Sequence, residues 1–196
     1  MIDFALSCGY TIGGLYHYKE GRTGDIDHGY RVLGTFEDLF SQNLTGRNFL
    51  LTMGDNELRM SLTERIIAAG GKVPTLVHPK AEVSRYADIS PVGVYIFPFT
   101  FIQADTKVGH NTVILSHVNV SHTNVIGAGC FIAGGSMIGA YTEIRDSVFI
   151  GQGVLSISGK VKCIGSHAYI GAGSLLTKDV PPGSLMVGRP AKQIIH

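Results

Sequence analysis

Three histidines in the middle of the chain, His110, His117 and His122, are the side chains best suited to proton transfer. An imidazole with an unperturbed pKa of about 6.5 is mostly neutral near pH 7, so it can take a proton from an amine or a hydroxyl. His122 is followed by Thr123, whose hydroxyl can hold the ring in one orientation. No serine or cysteine lies in a nucleophile motif with a base, and the sequence therefore favours direct transfer over a covalent intermediate.

These histidines lie within a stretch in which every sixth residue is aliphatic. A helix repeats apolar residues at about 3.6 positions and a strand at 2, so neither accounts for a period of six. That period is typical of a parallel β-helix, in which six residues make one strand and one corner, and three such units close a triangular coil. The positions in this phase are Ile102, Val108, Ile114, Val120, Ile126, Ile132, Ile138, Ile144 and Ile150.

The same period predicts which way the side chains point. The aliphatic residues stack in interior columns, and the small residues four positions later fill the space between them. His122 comes two positions after Val120, close to a corner, so we expect its side chain to point outward, where it could meet a neighbouring subunit. His117 is the second candidate for a base.

Two irregularities interrupt the repeat. The step from Ile89 to Ile96 is seven residues, which predicts a one-residue bulge. Fourteen residues separate Ile150 from Ile164, which predicts two extra residues at a corner near "SISGKVK". We predict a β-helix of about five coils over residues 77–178.

Residues 179–196 leave the repeat and are predicted to form a C-terminal cap. Pro181 and Pro182 have no amide hydrogen, so they cannot continue a ladder of strand pairing. A cap is needed because the open end of a β-helix exposes a sheet edge.

Residues 1–76 lack the repeat and are predicted to form a small α/β domain. The apolar segments "YTIGGLYHY" and "NFLLTM" are strand candidates, and "MIDFALSCGY" and "GTFEDLF" are candidate short helices. The clearest helix is "NELRMSLTERIIAAGG", with Leu58, Leu62 and Ile66 on one face. Alternating strands and helices suggest a small parallel sheet of the nucleotide-binding kind.

Gly54, Asp55 and Asn56 follow the second predicted strand and open this helix. Backbone amides at a helix N-terminus favour anionic groups, so these residues are candidates for contact with a sugar nucleotide. Asn56 could equally serve only as the N-cap of the helix. The sequence leaves both interpretations open.

The composition excludes several classes of function. A formal charge of +1 without a long basic run argues against a nucleic-acid partner. The three cysteines, Cys8, Cys130 and Cys163, lack the spacing of metal ligands, so neither a metal site nor a disulfide is predicted. There is no signal peptide, and no apolar run approaches the roughly 18 residues of a membrane span. We therefore expect a soluble, cytoplasmic protein.

Four segments carry a likeness to a known family: "LVHPKAEVSRYADIS", "VNVSHTNVIGAG", "YIGAGSLLTKDVPPGSLMVGRPAKQI" and, more weakly, "MGDNELR". They resemble the hexapeptide-repeat acyltransferases with a left-handed parallel β-helix, in particular sialic-acid O-acetyltransferases and sugar N-acetyltransferases of the bacillosamine pathway. The resemblance implies a homotrimer with active sites between subunits. It also implies acetyl-CoA as acyl donor and an amino sugar or sugar nucleotide as acceptor, in surface-glycan biosynthesis.

The resemblance also assigns roles to individual residues. His122 corresponds to the family's general base, with Thr123 beside it. Coenzyme A in this family lies along the outside of the coils, where its pantetheine contacts corner backbone groups. The corresponding positions here are Gly139, Ala140, Gln152 and Ala172, and the segment "GRPAK" offers Arg189 and Lys192 to the phosphates of the coenzyme.

The chain departs from the family pattern at several places. Thr123 stands where the family usually has an acidic residue, and Phe131 stands where it usually has a second histidine. His17 and Tyr18 replace paired aspartates, and the family's glycine-rich nucleotide loop would precede the first residue of this chain. These departures support an alternative function, a catalytically inactive trimeric β-helix that binds sugars or serves in assembly.

A metal-dependent β-helix of the carbonic anhydrase type is a third hypothesis. It requires three histidines that converge across a subunit interface, for which His117 and His122 are candidates. Their spacing does not reproduce the expected ligand pattern, so we predict no metal.

Overall fold

The computed structural model of the protein describes residues 1–194. The N-terminal region consists of α1 (Ile2–Ser7), β1 (Leu15–Tyr16), β2 (Ile26–Asp27), β3 (Tyr30–Gly34), α2 (Phe36–Phe40) and α3 (Asn56–Ala68). The three strands form a small mixed sheet, in which β1 pairs in parallel and β2 antiparallel with the central β3. The parallel pair joins β1 to β3 with only β2 between them, so it is not the strand–helix–strand unit that the sequence predicted.

From Leu76 onward the chain winds into a parallel β-helix with three sheets. In chain order its strands are β4 (Leu76–Val77), β5 (Glu82–Val83), β6 (Asp88–Ile89), β7 (Tyr95–Ile96), β8 (Phe101–Ile102), β9 (Lys107–Val108), β10 (Val113–Ile114), β11 (Asn119–Val120), β12 (Val125–Ile126), β13 (Phe131–Ile132), β14 (Met137–Ile138), β15 (Glu143–Ile144), β16 (Phe149–Ile150), β17 (Leu155–Ser156), β18 (Cys163–Ile164), β19 (Tyr169–Ile170), β20 (Leu175–Leu176), β21 (Leu185–Gly188) and β22 (Ala191–Ile194). The first sheet contains β4, β7, β10, β13, β16, β19, β21 and β22, the second β5, β8, β11, β14, β17 and β20, and the third β6, β9, β12, β15 and β18.

The pairing between coils confirms the six-residue period. Ile114 pairs with Ile132, which in turn pairs with Ile150, so successive coils are eighteen residues apart. All nine aliphatic residues of the period are at most 3% exposed. The small residues four positions later are also buried, and they are Thr106, Thr112, Val118, Asn124, Cys130, Ser136, Thr142, Val148 and Val154.

Both predicted irregularities are present. Ile89 pairs with Val108, nineteen residues later, whereas the next coils pair at eighteen, so one extra residue lies between β6 and β7. Ile144 pairs with Ile164, twenty residues later, so two extra residues lie between β17 and β18. Both insertions fall at corners, where added residues can bulge outward without shifting the strands.

The corners stack along the axis in three columns, which we number by the sheets they join: first corner (first to second sheet), second corner (second to third) and third corner (third to first). One residue of most corners has a left-handed backbone with positive φ, a conformation that L-residues other than glycine adopt at a cost. The non-glycine residues of this kind in the β-helix are Phe99, Asp105, Asn111, His117, Thr123, Tyr141, Ser147 and His167.

The N-terminal region covers the outer face of the first sheet at its early coils. Phe4 and Ala5 of α1 pack against the outward side chains of Tyr95 and Val113, which are buried as a result. The Tyr95 hydroxyl also accepts a hydrogen bond from Leu51 N at 3.1 Å. This part of the first sheet is therefore closed to ligands.

A buried arginine fastens α3 to the third corner. Arg59 is completely buried, and no carboxylate of residues 1–194 lies within ion-pair distance of it. Its acceptors are the backbone oxygens of Met53, Asn111, Gly129 and Cys130 and the side-chain oxygen of Asn56. Burial lowers the pKa of the Arg59 guanidinium to about 10, which leaves it charged at neutral pH.

Two predictions for the N-terminal region are wrong. The segment "NFLLTM" forms no strand. It lies between α2 and α3 without regular structure apart from an isolated bridge between Asn48 and Lys72. Leu62 and Ile66 of α3 are buried as predicted, but Leu58 is 40% exposed. The helix turns Arg59 toward the β-helix instead.

The C-terminal residues form a hairpin of β21 and β22, which pair antiparallel. The hairpin joins the first sheet through β21, which pairs in parallel with β19. Val180 forms a bridge with Ile164 just after Lys178 and Asp179 leave the coils. Residues 195–196 of the predicted cap lie outside the described part of the chain. None of the helices in residues 1–194 has the length and apolar character of a membrane span.

Candidate functional site

His122 lies on the second corner, at the level of the third coil. Its backbone N donates to the side-chain oxygen of Gln103 on the preceding coil at 3.2 Å. Its ring lies perpendicular to that of Tyr141 on the following coil, with 5.1 Å between ring centroids. The side chain is partly buried and points outward, as the six-residue period predicted.

The Nδ1 atom of His122 lies 3.0 Å from Oγ1 of Thr123. If Nδ1–H donates to this hydroxyl, the other ring nitrogen, Nε2, keeps a lone pair and can accept a proton. If the hydroxyl donates to Nδ1, Nε2 carries the proton and cannot act as a base. A carboxylate would permit only the first arrangement, whereas the threonine hydroxyl permits both.

Thr123 also has a strained backbone. Its φ is 57°, and a β-branched residue in the left-handed region is a conformational outlier. Strain of this kind persists only where the surrounding structure holds it. Seven other non-glycine corner residues of the described β-helix share this conformation, so it belongs to the corner and does not by itself mark a site. Thr123 N donates to Ala104 O at 3.0 Å, so the stacking of the corner supplies that constraint.

Gly139 and Ala140 occupy the second corner one coil beyond His122. Their backbone amides donate to the hydroxyls of Ser156 and Ser158, both at 2.9 Å. A Cβ on Gly139 would lie 2.5 Å from Ser158 N, so only glycine fits there. The small residues are thus required by the next coil. Ser158 is exposed at this corner, whereas Gly139 O already accepts from the Thr142 hydroxyl at 3.2 Å.

The remaining positions predicted to contact coenzyme A lie at the C-terminal end. Gln152 and Ala172 occupy successive levels of the first corner, where Gln152 O accepts from Gly173 N. Arg189 reaches the same corner, since its Nη1 lies 3.4 Å from Gly173 O. Lys192 is exposed on β22. The second sheet separates this group from His122.

Gly54, Asp55 and Asn56 lie beside the third corner, on a different edge from His122. Asp55 is the N-cap of α3 and accepts from Leu58 N, so the hypothesis of an Asn56 cap is wrong. Asn56 Nδ2 donates to the carbonyls of Ser147 and Val148, each at 3.4 Å. A pocket of about 180 Å³ lies between these residues and the outer face of the first sheet.

That pocket adjoins a column of aromatic rings that the sequence reasoning missed. Phe131, Phe149 and Tyr169 stack on successive coils with centroid distances of 5.2 and 4.6 Å. Phe131 occupies the position where the family usually has a second histidine. It lies on the first sheet and packs against Phe149 of the same chain. The sequence does contain a signal for this column: an aromatic residue directly precedes the interior aliphatic residue at the same place in three successive coils.

The other titratable candidates do not join His122. His117 is on the first corner, with its ring 5.1 Å from that of Phe99. His110 is exposed at the third corner. Within residues 1–194, no group of three His, Cys, Asp or Glu side chains is placed to hold a metal ion.

The buried cysteine is not a suitable nucleophile. Cys130 lies in the interior column, and burial raises the pKa of its thiol to about 12. A thiol of this kind is protonated and inert at neutral pH.

Solved structures of other proteins have the same architecture. WeeI from Acinetobacter baumannii superposes with a TM-score of 0.83 at 24% identity, covering 92% of this chain and 85% of its own. A perosamine N-acetyltransferase variant from Caulobacter crescentus, in complex with CoA and GDP-perosamine, gives 0.73 at 24% identity, covering 100% and 90%. At this identity the two structures establish the fold alone. No family model matches the sequence.

The acetyltransferase domain of PglB from Neisseria gonorrhoeae, in complex with acetyl coenzyme A, is 27% identical, with a TM-score of 0.72 over 98% of this chain and 92% of that domain. In fold and in its repeats the chain resembles the hexapeptide-repeat acyltransferases with a left-handed β-helix. Curated members of this superfamily match its repeats. The acyl-[acyl-carrier-protein]–UDP-N-acetylglucosamine O-acyltransferase of Nautilia profundicola is 36% identical over 89 residues, 45% of this chain.

A second curated acyltransferase, the UDP-3-O-acylglucosamine N-acyltransferase of Methylorubrum extorquens, is 39% identical over 90 residues. The matched segment spans 34% of the Nautilia protein and 25% of the Methylorubrum protein. The likeness to these superfamily members thus concerns the hexapeptide repeat, and their own substrates belong to the longer proteins.

Proposed function

We propose that the protein is an acetyl-CoA-dependent acetyltransferase that acts on the amine or hydroxyl of an amino sugar or sugar nucleotide. The observation that carries the proposal is the position of His122, an outward-facing imidazole on a corner of an acyltransferase β-helix with Nδ1 held by Thr123. The solved relatives that bind acetyl coenzyme A, or CoA with GDP-perosamine, support the donor and the class of acceptor.

The proposed reaction is a direct transfer. The acceptor amine or hydroxyl attacks the thioester carbonyl, its proton passes to Nε2 of His122, and the bond between carbon and sulfur breaks. The proton then leaves with the thiolate as the free thiol of coenzyme A. Thr123 positions the imidazole by accepting from Nδ1–H, so that Nε2 faces the acceptor with its lone pair.

We propose that the donor lies along the second sheet. Gly139 and Ala140 would contact its pantetheine at the second corner, beside His122, and Gln152 and Ala172 would do so at the first corner. Arg189 and Lys192 are exposed at the C-terminal end, where their charges suit the coenzyme's phosphates. The thioester would then reach His122 from the C-terminal side.

We further propose that the acceptor's nucleotide is held at Gly54, Asp55 and Asn56 of a neighbouring copy in a homotrimer. These residues lie beside the third corner and His122 lies on the second, so the third sheet lies between the two groups within one chain. Two adjacent copies would bring the third corner of one chain to the second corner of the other. This arrangement is the reason for a shared site.

Mixing two inactive variants tests the shared site. We expect His122→Ala and Asp55→Ala homotrimers each to have little activity, because each lacks one half of every site. Trimers reassembled from both should regain activity, since some interfaces then combine an intact His122 with an intact Asp55. Restored thiol release after mixing is the measurement, and mixtures that stay as inactive as their components would contradict a site between subunits.

A carboxylate in place of Thr123 should make the base more effective. Thr123→Asp is expected to raise kcat about fivefold, since a charged acceptor adds about 1 kcal/mol to the bond from Nδ1–H. Asp and Asn both tolerate the left-handed backbone, so Thr123→Asn is the matched control. Both variants should be about 1 kcal/mol more stable in urea, and only the aspartate should be faster. Equal kcat values would rule out tautomer control by residue 123.

We place the reaction in the cytoplasm, within surface-glycan biosynthesis. The three cysteines are free thiols in the structure, which suits a reducing compartment. The glycan assignment rests on the class of acceptor proposed above.

Release of the coenzyme A thiol from acetyl-CoA, measured with UDP-, dTDP-, GDP- and CMP-linked amino sugars and with free sialic acid, tests the proposed function. We expect release with one class of acceptor. A second candidate, an inactive trimeric scaffold that binds sugars, is favoured by the hydroxyl at residue 123 and by the stacked Phe131. Folded protein that binds a sugar and releases no thiol with any acceptor would establish that scaffold.

A further inference from the structure

A pocket of about 400 Å³ opens on the second corner at the first two coils. It is formed by β5, β8 and the corner residues that follow each of them. None of the site residues discussed above contributes a side chain to it except Gln103. The side chains that matter for its chemistry are Glu82, Ser84, Arg85, Tyr86, Phe101 and Gln103.

This pocket is continuous with the candidate base. Gln103 lines it and also accepts from His122 N through Oε1. Thr123 N donates to Ala104 O, so the coil that carries His122 stacks directly on the coil that forms the pocket, about 4.8 Å further along the axis. Gly139 lies one coil beyond His122 toward the C-terminal end, whereas the pocket lies toward the N-terminal end. His122 therefore separates the pocket from the proposed donor site.

The lining has the composition of a site for a phosphorylated sugar. Phe101 is partly buried and Tyr86 is 68% exposed, and each offers a flat apolar face to the C–H side of a pyranose ring. The Nε2 amide of Gln103 and the Glu82 carboxylate can bond sugar hydroxyls. Arg85, with its guanidinium 5.8 Å from the Tyr86 ring centroid, matches the bidentate geometry of a phosphate.

The charges in the pocket have no partner of their own. Neither Glu82 nor Arg85 takes part in an ion pair with any residue of the described chain, 1–194. The two charges suit a ligand that has both hydroxyls and an anionic group. Glu82 can accept hydrogen bonds from the hydroxyls, and Arg85 can bind the anion. Both side chains are exposed and hydrated, and a ligand with hydroxyls and an anion can replace the water at both, whereas a purely apolar ligand cannot.

We propose that this pocket holds the sugar end of the acceptor, a pyranose linked to phosphate. The ring packs on Phe101, the phosphate binds Arg85, and the reacting amine or hydroxyl points along the corner to His122. The inference rests on the proposed function for the identity of the reaction. It adds to that function a sugar subsite on the same chain as the base, next to the nucleotide site contributed by the neighbouring copy.

Calorimetric titration with glucosamine 1-phosphate, without acetyl-CoA, tests the pocket directly. We expect Glu82→Gln and Arg85→Gln each to weaken binding at least tenfold. Arg145→Gln is the control, because Arg145 is also exposed but pairs with Glu143 on the third sheet, outside the pocket. Equal affinity in all four proteins, or no binding to the wild type, would overturn the proposal. Thermal unfolding of each variant shows that it is folded.

The acceptor KM separates this inference from the proposed function. If the wild type transfers acetyl groups and the two pocket variants keep its KM for the sugar acceptor, the assignment of the pocket as a sugar site is wrong and the proposed function stands. If the variants lose binding of glucosamine 1-phosphate while the wild type releases no thiol with any acceptor, the pocket stands and the function is wrong. A raised KM for the sugar with an unchanged KM for acetyl-CoA supports both.

Discussion

Replacing His122 with alanine is expected to lower kcat for acetyl transfer by roughly 10²- to 10⁴-fold, the usual contribution of a positioned general base. The KM for acetyl-CoA should change little, because the thioester is bound by other residues and the imidazole acts mainly in the transition state. His122 is outward-facing and only partly buried, so its removal leaves the interior columns intact. Steady-state thiol release with a competent acceptor is the measurement.

His117→Ala is the matched control for this prediction. His117 is an exposed histidine of the same coil, at the first corner, where its ring lies near Phe99. We expect its kcat to stay close to that of the wild type. If the His122 variant keeps more than about a tenth of the wild-type kcat, or if both variants lose activity equally, His122 is not the base.

Arg59→Met is expected to destabilise the protein by roughly 3–5 kcal/mol, because it leaves several buried acceptors without a donor. Methionine fills part of the volume but offers no donor, so the carbonyls of Met53, Asn111 and Gly129 and the Asn56 oxygen lose the Arg59 donor. Cys130 O keeps its bond from Val113 N. Each buried acceptor left without a donor is unfavourable by about 1–3 kcal/mol. The urea midpoint of unfolding should fall accordingly.

Arg65→Met provides the comparison on the same helix. Arg65 is exposed, and its guanidinium lies 3.8 Å from the ring centroid of Phe40. Loss of that contact should lower the free energy of unfolding by about 1 kcal/mol or less. Similar urea midpoints for the two variants would show that Arg59 does not fasten α3 to the β-helix.

The β-helix could be predicted from the sequence because each interior position is specified separately. Every coil has its own aliphatic residue, such as Ile114 or Ile132, and eighteen residues later the pattern repeats, so even the two insertions could be located. The N-terminal region has no such redundancy. Its "NFLLTM" segment is apolar because Leu51 packs in the local core, and burial alone does not distinguish a strand from coil.

The candidate site was predictable only in part, for a related reason. The corner position of His122 follows from its distance to Val120, and its contact with Thr123 follows from adjacency in sequence. The pocket beside Gln103 depends on side chains from two different coils, and the aromatic column at Phe131 depends on three. The burial of Arg59 depends on five acceptors spread from Met53 to Cys130, a set that no local pattern describes.

The eighteen-residue register limits how the length of this protein can change. An insertion of one whole coil returns every following side chain to the same sheet and the same face. The β-helix then grows by one coil, and the hairpin of β21 and β22 closes its end as before. An insertion of any other size within a strand would rotate all later residues around the axis. Corners can absorb one or two extra residues, as they do after β6 and after β17, but the β-helix itself gains or loses height only by whole coils. The distance from His122 to Arg189 along the axis therefore changes only in multiples of one coil.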